Sequence, residues 1–385
     1  MTRAGTPKRR AASTFDIDTL LGGQQIVVCC GSGGVGKTTT AAALALRAAE
    51  RGRRVVVLTI DPARRLAQSL GLTELDNVPR LVESAGADGG ELHAMMLDMK
   101  RTFDEIVETH AEPDKARQII ANPFYQSLSG SLAGTQEYMA MEKLGQLHAS
   151  GEWDLIVVDT PPTRSALDFL DAPERMTSFL EGRMIRVLLA PAKAGGRAYM
   201  KVFSAGVGVF TGVLTKITGT DLLRDVSSFL AASETMFGGF RARAQQTYDL
   251  LKAEGTAFVV VAAPEPAALR EASYFVDRLS AEDMPLAGLV VNRVHRTAAP
   301  GLTAERSIAA AETLEEQATH PLARAALLVH ADRVKIAERE QREITGFVSS
   351  APRVPVVEVE ALASDVHDLE GLRRIGRGLA GEPAA

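Results

Sequence analysis

A mostly parallel, doubly wound α/β sheet that carries a phosphate loop and an inserted helical subdomain is the fold class this sequence predicts, on three observations. Short β-branched runs alternate with helical stretches along most of the chain, and a glycine-rich turn joins the first run to an alanine-rich helix. Between Ala190 and Leu251 the alternation gives way to glycine-spaced apolar helix with no strand run. Alternation of this kind implies βαβ crossovers, which place helices on both faces of a parallel sheet. The chain has 385 residues, 46% hydrophobic and 24% charged, enough for one large domain with insertions.

The elements follow in chain order. Residues 1 to about 20 read as a disordered basic tail, on Lys8, Arg9 and Arg10 among small polar residues, and 21–380 as a single domain. Its first strand run, Gln25–Cys30, leads through GSGGVGKTTT into a helix that reaches Arg51. Gly31, Gly36, Lys37 and Thr38 stand in phosphate-loop spacing. Gly31, Gly33, Gly34 and Gly36 let successive backbone N–H groups point into one concavity, where they and the positive end of the helix hold a polyphosphate. The candidate binding set is therefore Gly33, Gly34, Val35, Gly36, Lys37, Thr38 and Thr39. Within it Lys37 neutralises the outer phosphates and the Thr38 hydroxyl ligates magnesium.

Further strand runs are Arg54–Ile60, Leu92–Asp98, Leu155–Asp159, Ala257–Ala263, Ala287–Asn292 and Val354–Val359. In such sheets ligands sit beyond the carboxyl ends of the strands. Asp61, Asp159, Pro264-Glu265 and Asn292 all follow strand runs and converge on the rim of the phosphate loop. Asp159 is placed to hold magnesium with Thr38, and Asp61 to orient or activate the water that attacks a γ-phosphate. The Asn292 amide offers a donor and an acceptor that match one edge of adenine, and Pro264 and Glu265 are placed to wall the same base.

Two stretches, 102–147 with Tyr138, Met141 and Leu144 and about 190–252, make up the helical subdomain. In the second, Phe203, Val207, Phe210, Val213, Leu214 and Ile217 recur at three- and four-residue steps, a stripe on one helical face. Phe229, Leu230, Met236, Phe237 and Phe240 follow. Such residues serve either as the core of the subdomain or as an apolar surface for a client.

Composition excludes several classes. A net charge of −5 and a pI near 5.9 give no global basic field, so no nucleic-acid partner is expected. The two cysteines, Cys29 and Cys30, are neighbours in the first strand and face opposite ways, which fits buried packing in a reducing cytosol rather than a disulfide or a shared metal. No uninterrupted apolar run is long enough to span a bilayer and the N-terminus lacks a signal-peptide core, so the expected location is cytoplasmic, at most peripheral to a membrane.

The motifs GSGGVGKTTT, TIDPARRLAQSLG, VVDTPPT, VAAPEP, VVNRV and VPVVEVEAL, in this order over about Gln25–Ala361, resemble those of the arsenite-pump and tail-anchored-protein-targeting ATPase family. That family belongs to a deviant phosphate-loop class shared with septum-positioning and plasmid-partition ATPases. The resemblance implies ATP and Mg2+ as cofactors, hydrolysis with Lys37, Asp61 and Asp159 as the catalytic set, and two subunits that face each other across two nucleotides. By the same resemblance Asp61 matches the switch-one aspartate, Asp159–Thr163 match switch two, and Asn292 matches the adenine reader. The implied function is an ATP-driven dimeric switch whose helical subdomain binds a hydrophobic client or a membrane-associated partner.

The departures from the family are specific. Ser32 stands where the family has a lysine that reaches the partner's phosphates, and serine supplies no cation. Arg64 and Arg65 are the candidates to replace it within the chain; a heterodimer with a lysine-bearing paralogue is the other route, and a homodimer would hydrolyse slowly. A weakly active regulatory ATP-binding subunit is thus a second reading. Arg164 and Ser165 replace the usual glycine and histidine of switch two. A third reading, a soluble energiser of an anion exporter, finds no support in the cysteines or in seven scattered histidines, because no soft-metal ligand set recurs.

Overall fold

The computed structural model describes residues 15–61, 65–86, 88–123, 125–126, 135–161, 239, 242–317 and 319–382. Among them the strands are β1 (Ile26–Gly31), β2 (Arg54–Thr59), β3 (Arg80–Leu81), β4 (Glu91–Met96), β5 (Leu155–Asp159), β6 (Thr256–Ala262), β7 (Leu286–Val294) and β8 (Val356–Glu360). They form one sheet in the order β3-β4-β2-β5-β1-β6-β7-β8. Every pairing is parallel except β3 with β4. β1, β5 and β6 are buried along their whole length, which is why their sequences are unbroken apolar runs without alternation.

The helices are α1 (Ile17–Gly23), α2 (Lys37–Ala49), α3 (Arg65–Ser69), α4 (Met99–His110), α5 (Pro113–Ile120), α6 (Thr135–Ala149), α7 (Pro266–Ala281), α8 (Ala304–Glu316), α9 (Pro321–Ser350) and α10 (Leu369–Leu379). From β1 the chain crosses through α2 to β2 on one side, and from β6 through α7 to β7 on the other. Right-handed crossovers in opposite directions lie on opposite faces, so α2 and α7 cover the two sides of the sheet. α2 packs on β1, β2 and β5, and α7 on β1, β6 and β7. The winding direction reverses about β1, which opens a crevice beyond its carboxyl end.

Several boundaries differ from the sequence expectation, each for a physical reason. Of the tail expected over 1–20, residues 1–14 lie outside the described residues, and residues 17–23 form α1. Asp16 caps that helix, Ile17 and Leu21 are buried, and Asp18 pairs with Arg47 of α2 at 2.6 Å. β4 stops at Met96 rather than Asp98, since the Asp98 carboxylate caps α4 through the Arg101 N–H. β3 was not anticipated: two residues are too few to carry a period. β7 runs past Asn292 to Val294 through a register shift against β8.

The stretch 102–147 contains most of α4, all of α5 and most of α6. Polar pairs join this layer: Tyr125 donates to Asp104 at 2.6 Å, Lys143 meets Glu105 at 3.0 Å, and Arg243, from a helical run over 242–252, donates to Glu142 at 2.9 Å. The stripe from Phe203 to Ile217, the residues Phe229, Leu230, Met236, Phe237 and Phe240, and Arg64, Thr163, Arg164 and Ser165 lie outside the described residues.

Gly31 is where β1 turns into the loop, with φ 149° and its α-carbon hard against β6. A β-carbon there would stand 2.1 Å from the Val261 carbonyl oxygen. The obstacle is backbone in the middle of a sheet and cannot swing aside. Gly31→Ala is therefore expected to cost about 3 kcal/mol or more, read as a fall in the urea midpoint; an unchanged midpoint would refute the close approach.

Candidate nucleotide site

α2 begins at Lys37 without a side-chain cap, so the N–H groups of its first turn face the crevice. Gly36 precedes it with φ 95°, a left-handed conformation in which a β-carbon would meet the Asn292 amide nitrogen at 2.2 Å. Beyond the turn lies a cleft of about 830 Å³, bordered by Gly34, Gly36, Lys37, Thr38, Thr39, Asp61 and Asn292 among others. Phosphate loop, second-strand aspartate and seventh-strand asparagine thus share one cavity.

Beneath the loop, Asp159 is fully buried at the end of β5. The Thr38 hydroxyl donates to its Oδ2 at 2.8 Å and the Thr59 hydroxyl to the same oxygen at 2.9 Å. The strand tip is stitched to both neighbours: the Ile60 N–H donates to the Asp159 carbonyl at 3.0 Å, and the Thr160 hydroxyl to the Cys29 carbonyl at 2.8 Å. Asp159 Oδ1 is buried with no hydrogen-bond partner. Burial pushes this carboxyl up to about 6, with the two threonine hydroxyls and Lys37 pulling the other way. A hydroxyl and a carboxylate with an unused buried oxygen are the hard donors magnesium takes, so the residues present fit that ion.

Lys37 is buried, and its ammonium donates to the Ser32 carbonyl at 2.8 Å. Burial lowers its pKa, against the attraction of Asp159. Asp61 is half-buried on the cleft wall, with its N–H donating to the Thr59 hydroxyl at 3.3 Å. The carbonyl just before it, that of Ile60, accepts from the Gln136 amide of α6 at 2.9 Å. Arg65, on the first turn of α3, also borders the cleft.

The Asn292 amide nitrogen donates to the Val35 carbonyl at 2.9 Å, which holds the side chain against the loop. Val35 itself is buried, whereas Gly33 is exposed at the loop's outer edge. Pro264 and Glu265 stand between β6 and α7, outside the residues that border this cleft. Its far wall comes instead from the segment after β8, with Leu362, Val366 and His367, and from Arg293, His295 and Ile375. Arg293 lies in VVNRV and Leu362 ends VPVVEVEAL, but no residue of this wall has a spacing that marks it as a ligand contact; position after the last two strand runs was the available signal. Cys29 and Cys30 are both buried, and burial pushes their thiols up, that of Cys30 to about 12. They pack and do not react.

The profile of a family described as anion-transporting ATPase matches residues 24–300. The chain is 25% identical over 252 residues to the Aquifex aeolicus protein named "Putative arsenical pump-driving ATPase 2", covering 65% of this chain and 73% of that one. It is 28% identical over 258 residues to ATPase ARSA2 of Chlamydomonas reinhardtii, covering 65% and 62%. With ATPase GET3 of Malassezia globosa it shares 32% identity over 131 residues, 34% of this chain and only 37% of the relative's length. With its glycine-rich loop opening on the cleft and most of its length matched, the chain belongs to the anion-transporting ATPase family.

Proposed function

We propose that this chain is an ATP-driven switch that binds Mg·ATP in the cleft and passes its nucleotide state to the helical layer around α4 and α6. The observation that carries the reading is the Thr38–Asp159–Thr59 constellation under the phosphate loop, with an unused buried carboxylate oxygen. Lys37 and the first-turn N–H groups of α2 bind the β- and γ-phosphates. Thr38 and Asp159 hold magnesium, which supplies charge neutralisation there. Asp61 orients the attacking water and accepts its proton. Asn292 reads the base.

The route to the helical layer starts at Gln136, whose amide grips the carbonyl that precedes Asp61. From α6 the polar pairs Lys143–Glu105 and Glu142–Arg243 extend the contact to neighbouring helices. Movement of this layer and aim of Asp61 are thereby linked. The partner is a second ATPase subunit, either another copy or a paralogue that carries the lysine absent at Ser32, and the cargo is an apolar protein segment or a membrane-associated protein. No helix among the described residues is long and apolar enough to cross a membrane.

Asp61→Asn tests the reading. The change keeps the size of the side chain and removes its basicity, so ATP hydrolysis measured by phosphate release should fall about a hundredfold or more while ATP affinity stays within about threefold. Equal hydrolysis by variant and wild type would overturn the role of Asp61. Failure of the wild type to bind Mg·ATP would overturn the function itself.

A further inference from the structure

Arg293 is held in a left-handed conformation, φ 63°, which a residue with a side chain adopts only against steric resistance. It sits in the register shift of β7: Val291 pairs with Glu358 and Val294 with Glu360, so β7 carries one residue more than β8 between the two pairings. The kink is anchored on both sides. Before it, the Asn292 amide is bonded to the phosphate loop at 2.9 Å. After it, the Val294 carbonyl accepts from the Ala361 N–H at 2.9 Å. Next along the chain, Glu340 of α9 takes both the His295 N–H and the His295 Nδ1, each at 2.8 Å. Strain that is over-determined in this way marks places where a side chain must be aimed.

The side chain borders the nucleotide cleft and is exposed, and among the described residues its guanidinium has no hydrogen-bond or ion-pair partner. Its position along the rim says which part of a nucleotide it meets. The phosphate loop follows β1, Asp61 follows β2, and β7 lies two strands from β1 on the opposite side. At about 4.8 Å per strand the axis of β7 lies about 10 Å from that of β1, on the side away from Asp61, and the loop reaches across to Asn292. There the same cleft is bordered by Leu362, Val366 and Ile375, an apolar wall for a flat ring. A planar, weakly hydrated cation bordering a cleft that also has an apolar wall is suited to stack on an aromatic heterocycle.

We infer that Arg293 is a nucleotide-binding residue whose guanidinium stacks on the purine base held in the cleft. The inference rests on the reading of the cleft as an ATP site, and the kinked end of β7 exists to present this side chain. Its test compares wild type with Arg293→Ala, Arg293→Lys and Arg293→Gly, measuring the affinity for ATP, ADP and inorganic tripolyphosphate with magnesium, and the melting temperature without ligand.

Arg293→Ala is expected to weaken ATP and ADP alike, by about 3- to 30-fold, and to leave tripolyphosphate unchanged. Arg293→Lys should recover part of the loss. Arg293→Gly should weaken both nucleotides as alanine does while melting at or above the wild-type temperature, because glycine adopts a positive φ without strain. A purely structural arginine would lower the melting temperature in the glycine variant, and that result overturns the inference. So does unchanged ATP affinity in the alanine variant, or an equal loss for tripolyphosphate, which would place the contact on the phosphates. A wild type that binds tripolyphosphate but neither nucleotide fails the ATP reading and the inference together, whereas a wild type that binds ATP beside equally competent variants fails the inference alone.

Discussion

Lys37→Met is expected to lower ATP turnover by about a thousandfold or more and to weaken Mg·ATP binding, without destabilising the fold. The side chain is only 5% exposed and its ammonium rests on the Ser32 carbonyl at 2.8 Å. Burial already strains that charge, since it lowers the lysine pKa. A triphosphate in the cleft brings several negative charges to this buried ammonium, where each contact is stronger than in bulk water. Removing such a cation from a phosphoryl-transfer site costs about 4 kcal/mol or more of transition-state stabilisation. Methionine keeps the length and the apolar contacts of the stem. Phosphate release together with thermal melting checks both halves, and a variant that kept a tenth of the wild-type rate would exclude Lys37 from the phosphate site.

Asp159→Asn is expected to move stability and activity in opposite directions. The carboxyl is fully buried and held at about 6 against an ordinary 3.8, chiefly by burial. The folded state therefore binds more protons than the unfolded one between about pH 4 and pH 6, and its stability falls as pH rises through that window. Above about 6 the penalty is complete, of the order of 3 kcal/mol. Asparagine carries no charge, and its carbonyl oxygen can still accept from Thr38 and Thr59. The nucleotide-free variant should thus melt a few degrees higher than wild type at pH 7.5, and the difference should vanish as pH falls toward 4. Hydrolysis should drop by about a hundredfold or more, because a neutral amide is a poor magnesium ligand beside a carboxylate. A lower melting temperature at pH 7.5 would show that the buried charge is stabilising and would refute this account of the site.

The contrast between these residues and others in the cleft shows what was legible in the chain. Lys37, Thr38 and the loop glycines lie within one strand–turn–helix unit, and local spacing reports local geometry. Asp61 and Asp159 were legible because an apolar run that stops at an aspartate marks a strand end, and in a parallel sheet the strand ends share a rim. Gln136 gave no such sign: it grips the Ile60 carbonyl across a separation of 76 residues in sequence. Glu340 holds the backbone at His295 from the middle of a long helix, and nothing in its neighbours marks it out. Pro264 and Glu265 illustrate the converse, since a strand end reaches the rim without bordering the cleft.

The chain by itself determined the α/β class, the succession of its main strands along the sequence, the glycine-rich loop and the two aspartates at strand ends, because each of these is written in hydrophobic period or in the spacing of a few neighbouring residues. Tertiary structure alone decided the burial that raises the Asp159 carboxyl, the hydrogen bond from Gln136 to the Ile60 carbonyl, the wall of the cleft after β8, and the kink at Arg293. These depend on contacts between segments far apart in sequence, and a contact of that kind leaves its trace in distances rather than in the pattern of either partner.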